Sequence, residues 1–229
     1  MSCLLAKTIR TYTLNKSYFI TFEGIDGCGK STQAKLLIEK LNSVNIETSF
    51  VREPGGTKIS EEIRSVLLET RDEEMSNRTE ALLMCASRAQ LTKNIIIPEL
   101  ESGKWVVADR YSDSTLAYQG GGRGLDLEWL IKLNDFATFG VAPDITFFID
   151  VDAKTGYQRR KNLSSDRIES AGSEFQNEIR NKYFELIISR FEKITRQSIK
   201  NNIIYKRSYA IRDFKKDYNS FRETRTDLQ

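Results

Sequence analysis

Gly24-Ile25-Asp26-Gly27-Cys28-Gly29-Lys30-Ser31 sets two glycines, a lysine and a hydroxyl at the spacing G-x-x-x-x-G-K-[ST]. The chemistry this allows is the cradling of a nucleotide's phosphates. Glycines let the backbone wrap closely, so that successive amide N–H groups and the positive end of a following helix all point at negative oxygen. Lys30 adds a full charge at the transferring phosphate. Ser31 supplies a hydroxyl for Mg²⁺, and Thr32 supports the start of the helix.

Such a loop serves switches, motors and kinases alike, because it binds phosphate and is indifferent to the acceptor. No N-K-x-D guanine-reading segment follows it and no L-S-G-G-Q element is present, which favours a kinase. On the acceptor side, Arg52 precedes the tight turn Pro54-Gly55-Gly56 at the end of an apolar run, where a planar fork of donors suits a phosphate. Asp109-Arg110 ends a second apolar run. The aspartate suits hydrated Mg²⁺ or an acceptor group, and the arginine suits phosphate.

The elements that must carry these residues can be read from periodicity and turn chemistry. Tyr18 to Glu23 is a short apolar run ahead of the glycine loop, and a helical pattern follows from Lys30 to Val44. Further strands are expected at Ile46–Val51, Trp105–Ala108, Ile145–Ile149 and, more weakly, Asn202–Tyr205, with helical stretches between them. Alternation of this kind predicts an α/β fold with a five-stranded parallel sheet covered by helices on both faces, because parallel connections need crossovers. Gln119 to Gly124 reads as a flexible loop and Lys161 to Gly172 as a polar stretch between two helices. One domain is expected over 18–205, between a polar extension at 1–17 and a charged tail at 206–229.

Composition removes whole classes of chemistry. The 229 residues contain no histidine, so the commonest general base and transition-metal ligand is missing. The 35 Lys and Arg against 32 Asp and Glu leave a formal charge of +3, which gives no general reason to expect a nucleic-acid or membrane partner. Cys3, Cys28 and Cys85 are odd in number and lack metal-ligand spacing, which favours free thiols and a reducing cytoplasm. No run approaches the ~20 apolar residues needed to span a bilayer.

Taken together, these segments resemble the thymidylate kinases. The likeness runs from about Phe19 to about Tyr183 and rests on Phe22-Glu23-Gly24 with the phosphate loop, Arg52 to Gly56, Glu80 to Arg88, Asp109-Arg110-Tyr111, Tyr118 to Gly122, and Asp166 to Glu169. The resemblance implies the P-loop NTPase fold with a short lid at about 159–172, a Mg²⁺-dependent transfer from ATP to dTMP, and a homodimer. It implies that Arg52 and Arg110 contact the dTMP phosphate and that Asp26 lies near the sugar hydroxyl and the reacting phosphates. Arg88 is implied to bond the thymine carbonyl, with Thr115 as a second base contact. Gln119 is assigned to the same acceptor site, and Tyr118 packs under the deoxyribose. Glu23 is assigned either to metal or water placement or to capping the end of its strand. Met84 stands where the family usually has a phenylalanine stacked on thymine. The loop positions Ile25, Asp26, Gly27 and Cys28 carry no basic residue, so the lid should supply a catalytic arginine from Arg159, Arg160 and Arg167. The alternatives are a kinase for another small monophosphate and a nucleotide-binding regulator with no acceptor.

Overall fold

The computed structural model describes residues 17–162 and 166–201. Strands β1 (Phe19–Glu23), β2 (Thr48–Arg52), β3 (Trp105–Asp109) and β4 (Ile145–Phe148) form one sheet in the order β2-β3-β1-β4, with every pairing parallel. The sheet has four strands among the described residues rather than five. The expected fifth, at Asn202–Tyr205, lies outside those residues, as do the N-terminal extension up to residue 16 and the tail from 206.

The two faces of the sheet follow from the period-two alternation of strand side chains. Phe19, Val106 and Ala108 point to one face and pack with Leu91 and Ile96. Ile20, Phe22 and Val107 point to the other, where Ala34 and Leu41 cover them from helix α1 (Lys30–Asn42). Leu91 ends helix α3 (Asn77–Leu91), which continues through a π-helical turn at Thr92–Ile96 into α4 (Ile97–Glu101). Helix α2 (Lys58–Leu68) packs on α3 and is capped by the Thr57 hydroxyl, which accepts from the Ser60 amide at 3.1 Å.

After β3 comes the short α5 (Ser112–Thr115), a π-helical segment at Leu116–Gly122, and α6 (Leu127–Ala137). Helix α7 (Ala153–Arg160) follows β4, and a 3₁₀ turn at Glu169–Ala171 leads into the long α8 (Gly172–Asn201). A third apolar cluster seats α8 through Ile179, Tyr183 and Ile187 against Ile25, Ala117, Tyr118 and Phe148.

The glycine run expected to be a flexible loop is a packing surface instead. A Cβ on Gly120 would lie 2.5 Å from Leu127 Cδ2, one on Gly121 2.6 Å from Lys182 Cβ, and one on Gly122 2.4 Å from a ring carbon of Phe175. The glycines are small so that the π-helical segment can lie directly on α8 and α6. Gly121→Ala should therefore lose about 1–3 kcal/mol, the usual range for overpacking a close contact. Urea unfolding checks this; a midpoint equal to wild type would show that the segment is free to move away.

Candidate functional site

Parallel strands bring their carboxyl ends to one edge, and open α/β sheets bind ligands outside that edge. The register does this here: Phe22 pairs with Asp109 across β1 and β3, and Arg52 pairs with the same Asp109 across β2 and β3. The glycine loop leaves β1 at this edge and turns into α1, where Gly29 takes a left-handed φ of 101°. A cleft of about 550 Å³ opens there, lined by the loop residues Asp26, Gly27 and Gly29 to Thr32 together with Arg52, Met84, Arg88, Arg110, Thr115, Tyr118 and Gln119.

Lys30 is buried with its ammonium on the Gly24 and Ile25 carbonyls at 3.1 and 2.9 Å. Ser31 donates to Asp109, so two of the three residues expected at a metal are side by side in the cleft. Among the described residues no three acidic, histidine or cysteine side chains group as a metal site. One carboxylate beside one hydroxyl, facing a phosphate loop, fits an ion such as Mg²⁺ that keeps several waters and takes its other ligands from phosphate.

Arg110 lies at the centre. Its backbone is left-handed, with φ 73°, and its guanidinium donates to the Gly24 carbonyl at 3.0 Å, to the Tyr118 hydroxyl at 2.8 Å and to Asp26. Tyr118 in turn donates to the other Asp26 oxygen at 2.8 Å, and Arg110 sits over the Tyr118 ring at 4.7 Å. Burial alone would raise the Asp26 pKa; Arg110 first, then Lys30 and the Tyr118 hydrogen bond, outweigh it and hold the carboxyl well below the usual range. Asp26 is thus an anion fixed between two cations.

Of the two roles open to Glu23, the hydrogen bonds follow that at the strand end. It is buried at the end of β1, and its oxygens accept from the Tyr111 amide at 2.8 Å, the Ser114 hydroxyl at 2.7 Å and the Tyr183 hydroxyl at 2.8 Å. It is not among the cleft-lining residues. It orders the segment after β3 rather than facing a metal.

Arg88 differs from expectation. It is 2% exposed, and its N–H groups go to Glu53 (2.8 and 2.6 Å), Thr115 (2.7 Å), Asn134 (2.6 Å) and the Tyr111 carbonyl (3.0 Å). These acceptors match the donor capacity of a guanidinium, so Arg88 shapes the cleft floor through Thr115 instead of holding a donor ready for a base. Arg52 lines the cleft, with Nη1 donating to the Pro54 carbonyl at 2.8 Å and Nη2 to both Glu61 oxygens at 3.0 and 2.9 Å. That pair is about two-fifths exposed on each side, and exposed pairs contribute little, so exchange for a phosphate costs little. Met84 lies in the cleft and also packs against the cluster that seats α8.

The lid candidates separate clearly. Helix α7 presses on the phosphate loop: a Cβ on Gly27 would lie 2.2 Å from the Gly156 carbonyl oxygen, and one on Gly156 2.6 Å from that of Asp26. This approach places Arg159 and Arg160 on the cleft wall, and Arg159 reaches the Cys28 carbonyl at 3.3 Å. Arg167 is held elsewhere. Its Nε donates to the Leu67 carbonyl at 2.9 Å and its Nη2 to Glu80 at 2.7 Å, which makes it an anchor on α2 and α3.

Two residues of the site had no role assigned from sequence. Gln176 on α8 accepts from the Asp26 amide at 3.4 Å and donates to its carboxylate at 3.3 Å, and Tyr183 joins Glu23 to Ser114. With Ile179 and Ile187 they form one helical face at spacings of three, four and four, a pattern visible in the sequence had it been followed. Arg64 is a third addition: it lines the cleft and donates to the Pro54 carbonyl at 2.8 Å.

Glu23 gives a test in solution. Burial first, and the charge of Asp113 second, push its pKa up from 4.5 to about 7, against the lowering influence of Ser114, Arg110 and Tyr183. The folded state therefore holds a proton that the unfolded chain releases, and the stability this contributes is present below 4.5 and lost as pH rises through about 7. Between about pH 5 and pH 8, the urea midpoint should fall less in Glu23→Gln than in wild type, whatever the variant's absolute stability. Parallel pH profiles would assign the titration to another group.

Comparison with known proteins points to one family. The thymidylate kinase family model matches residues 22–219. The chain is 51% identical to a thymidylate kinase of Fervidobacterium nodosum over 168 residues, 73% of this chain and 84% of that one. It is 48% identical to one of Thermosipho africanus, over 73% and 83% of the two chains. Among solved structures it is similar to the thymidylate kinase of Ehrlichia chaffeensis, with a TM-score of 0.61, 34% identity, and 85% and 86% of the two chains covered.

Proposed function

The chain belongs to the thymidylate kinase family and phosphorylates dTMP to dTDP with ATP, and we propose the assignment of roles within its cleft that follows. The observation that carries it is the meeting of the Lys30 loop, Arg110 and Tyr118 around Asp26, in a cleft that Arg52 also lines. The glycine loop, Lys30 and the N-terminus of α1 hold the ATP phosphates. Arg52 and Arg110 take the phosphate of dTMP, and Asp26, locked between Arg110 and Tyr118, faces the sugar. Tyr118, Gln119, Thr115 and Met84 form the base and sugar pocket.

Ser31 and Asp109 are the residues that would hold Mg²⁺, and the ion would supply positive charge to offset that of the phosphates. Phosphoryl transfer asks the protein mainly for positioning and positive charge. Arg159 and Arg160 supply that charge from α7, and the contact of α7 with the loop fixes their distance from it. Catalysis therefore belongs to this helix and not to Arg167.

A homodimer is proposed on the exposed apolar side chains Ile59, Leu82 and Ile131, which sit on α2, α3 and α6, three helices that pack in succession. Buried free Cys28 and Cys85 suit a reducing cytoplasm, and among the described residues no helix is long and apolar enough to cross a membrane.

Measuring ADP release across dTMP, dUMP, UMP and CMP tests the acceptor assignment. The expected order has dTMP first, with dUMP ahead of UMP because Tyr118 closes the space a ribose hydroxyl needs. Lys30→Ala should abolish release with the fold intact. A panel without preference, or an active Lys30→Ala enzyme, would sink the reading.

The lid assignment predicts a split among arginines. Replacing Arg159 or Arg160 by Ala should lower kcat by up to ~10³-fold with a smaller change in KM, since charge develops at that place only in the transition state. Arg167→Ala should instead lower the unfolding midpoint. Loss of kcat confined to Arg167→Ala would reverse the assignment.

A further inference from the structure

Glu80, on α3 and 1% exposed, is a carboxylate on which separate segments converge. Its Oε1 accepts from Gln119 Nε2 at 3.0 Å and Arg123 Nε at 3.1 Å, and its Oε2 from Arg123 Nη2 at 3.1 Å and Arg167 Nη2 at 2.7 Å. Although burial opposes its charge, hydrogen bonds from Arg123 and Gln119 and the charge of Arg123 hold its pKa below the ordinary value. It is an anion, and an ionised carboxylate can only accept.

That restriction decides how Gln119 lies. A side-chain amide has one donating and one accepting end, and its orientation is set by its partners. Against Glu80 the NH₂ must face the carboxylate. The other end, Oε1, accepts no hydrogen bond from the described residues, and Gln119 is itself a wall of the cleft beside Thr115 and Tyr118.

We propose that Glu80 is a specificity-determining positioning residue, which acts through Gln119 to present a hydrogen-bond acceptor to the nucleobase. The inference rests on the assignment of this part of the cleft to the base of dTMP. An acceptor there matches the ring N3–H of a thymine or uracil. It opposes cytosine, whose ring N3 is a lone pair. Discrimination then comes from leaving two acceptors facing each other in a desolvated pocket.

The probe that isolates this polarity is 5-methyl-2′-deoxycytidine monophosphate. It keeps the methyl group and ring shape of dTMP and differs in the exocyclic group and in the N3 position. Wild type should prefer dTMP in kcat/KM. Glu80→Gln can pair with either end of Gln119, so the ratio of dTMP to the methylcytosine nucleotide should fall by about tenfold or more. Gln119→Leu should lower it as far, and the double variant no further, because both changes remove the same device.

A merely structural Glu80 would lower both substrates equally and leave the ratio unmoved, which overturns the proposal. Should Glu80→Gln not fold, Gln119→Leu decides alone: a retained preference overturns it. A wild-type enzyme inactive on dTMP would sink the functional reading and this inference with it, whereas an active one with an unmoved ratio sinks this inference only.

Discussion

The pairing of Arg110 with Asp26 is the constraint around which the cleft is arranged. Arg110 follows β3 and Asp26 follows β1, two strands adjacent in the sheet, so the ion pair closes the edge where both chains leave regular structure. It is mostly buried, with 14% and 18% of the two side chains exposed, and burying two charges is unfavourable unless their remaining hydrogen-bonding capacity is met. Tyr118 and Gln176 meet that of Asp26, and the Gly24 carbonyl, Ser114 and Tyr118 meet that of Arg110. Because these partners come from β1's loop, α5, the π-helical segment and α8, satisfying one ion pair fixes the relative placement of four elements. The left-handed backbone at Arg110 is the local cost of aiming its side chain back across the loop.

Close backbone approach performs a second fixing, between the phosphate loop and α7. Gly27 and Gly156 have no side chains, and each lies against the other's neighbourhood within a distance that a Cβ could not tolerate. The loop therefore meets two surfaces: the cleft, and, through bare backbone, the helix that carries Arg159 and Arg160. A loop that held a basic residue of its own at Gly27 could not be covered in this way. The absence of a basic residue within the loop and the presence of arginines on the covering helix are two sides of one packing arrangement.

Much of this was legible in sequence because it is local. The strand–loop–helix around Lys30, the Arg52 turn and the Asp109-Arg110 strand end are each defined within a few residues, by apolar runs that stop at glycine or proline. Gln176 and Tyr183 were not, since they meet Asp26 and Glu23 across 150 and 160 residues and nothing in their immediate neighbourhood marks them as polar anchors. Gly120 to Gly122 was misread for a related reason: a glycine run serving flexibility and one serving close contact have the same composition, and the neighbour that distinguishes them, α8, is distant in sequence. Arg159, Arg160 and Arg167 could not be told apart from spacing, because their difference is which carbonyls and carboxylates lie within reach.

Arg88 and Glu23 illustrate how completely polar saturation determines what a buried group can do. Arg88 holds one Glu53 oxygen, Thr115, Asn134 and a carbonyl, and Glu23 holds an amide and two hydroxyls. Both lie within reach of the cleft by sequence position, yet neither has hydrogen-bonding capacity turned to it. What they provide is rigidity: leaving any of these partners unsatisfied in a low-dielectric interior costs about 1–3 kcal/mol, so the neighbouring groups that line the cleft, Thr115, Arg110 and Tyr118, have few alternative positions. A cleft whose catalysis depends on placement and charge needs walls of this kind, and the residue types that build them are the same ones that elsewhere do chemistry. For that reason residue type nominates a functional group, while the direction of its free hydrogen-bonding capacity decides whether it acts on the substrate or on its neighbours.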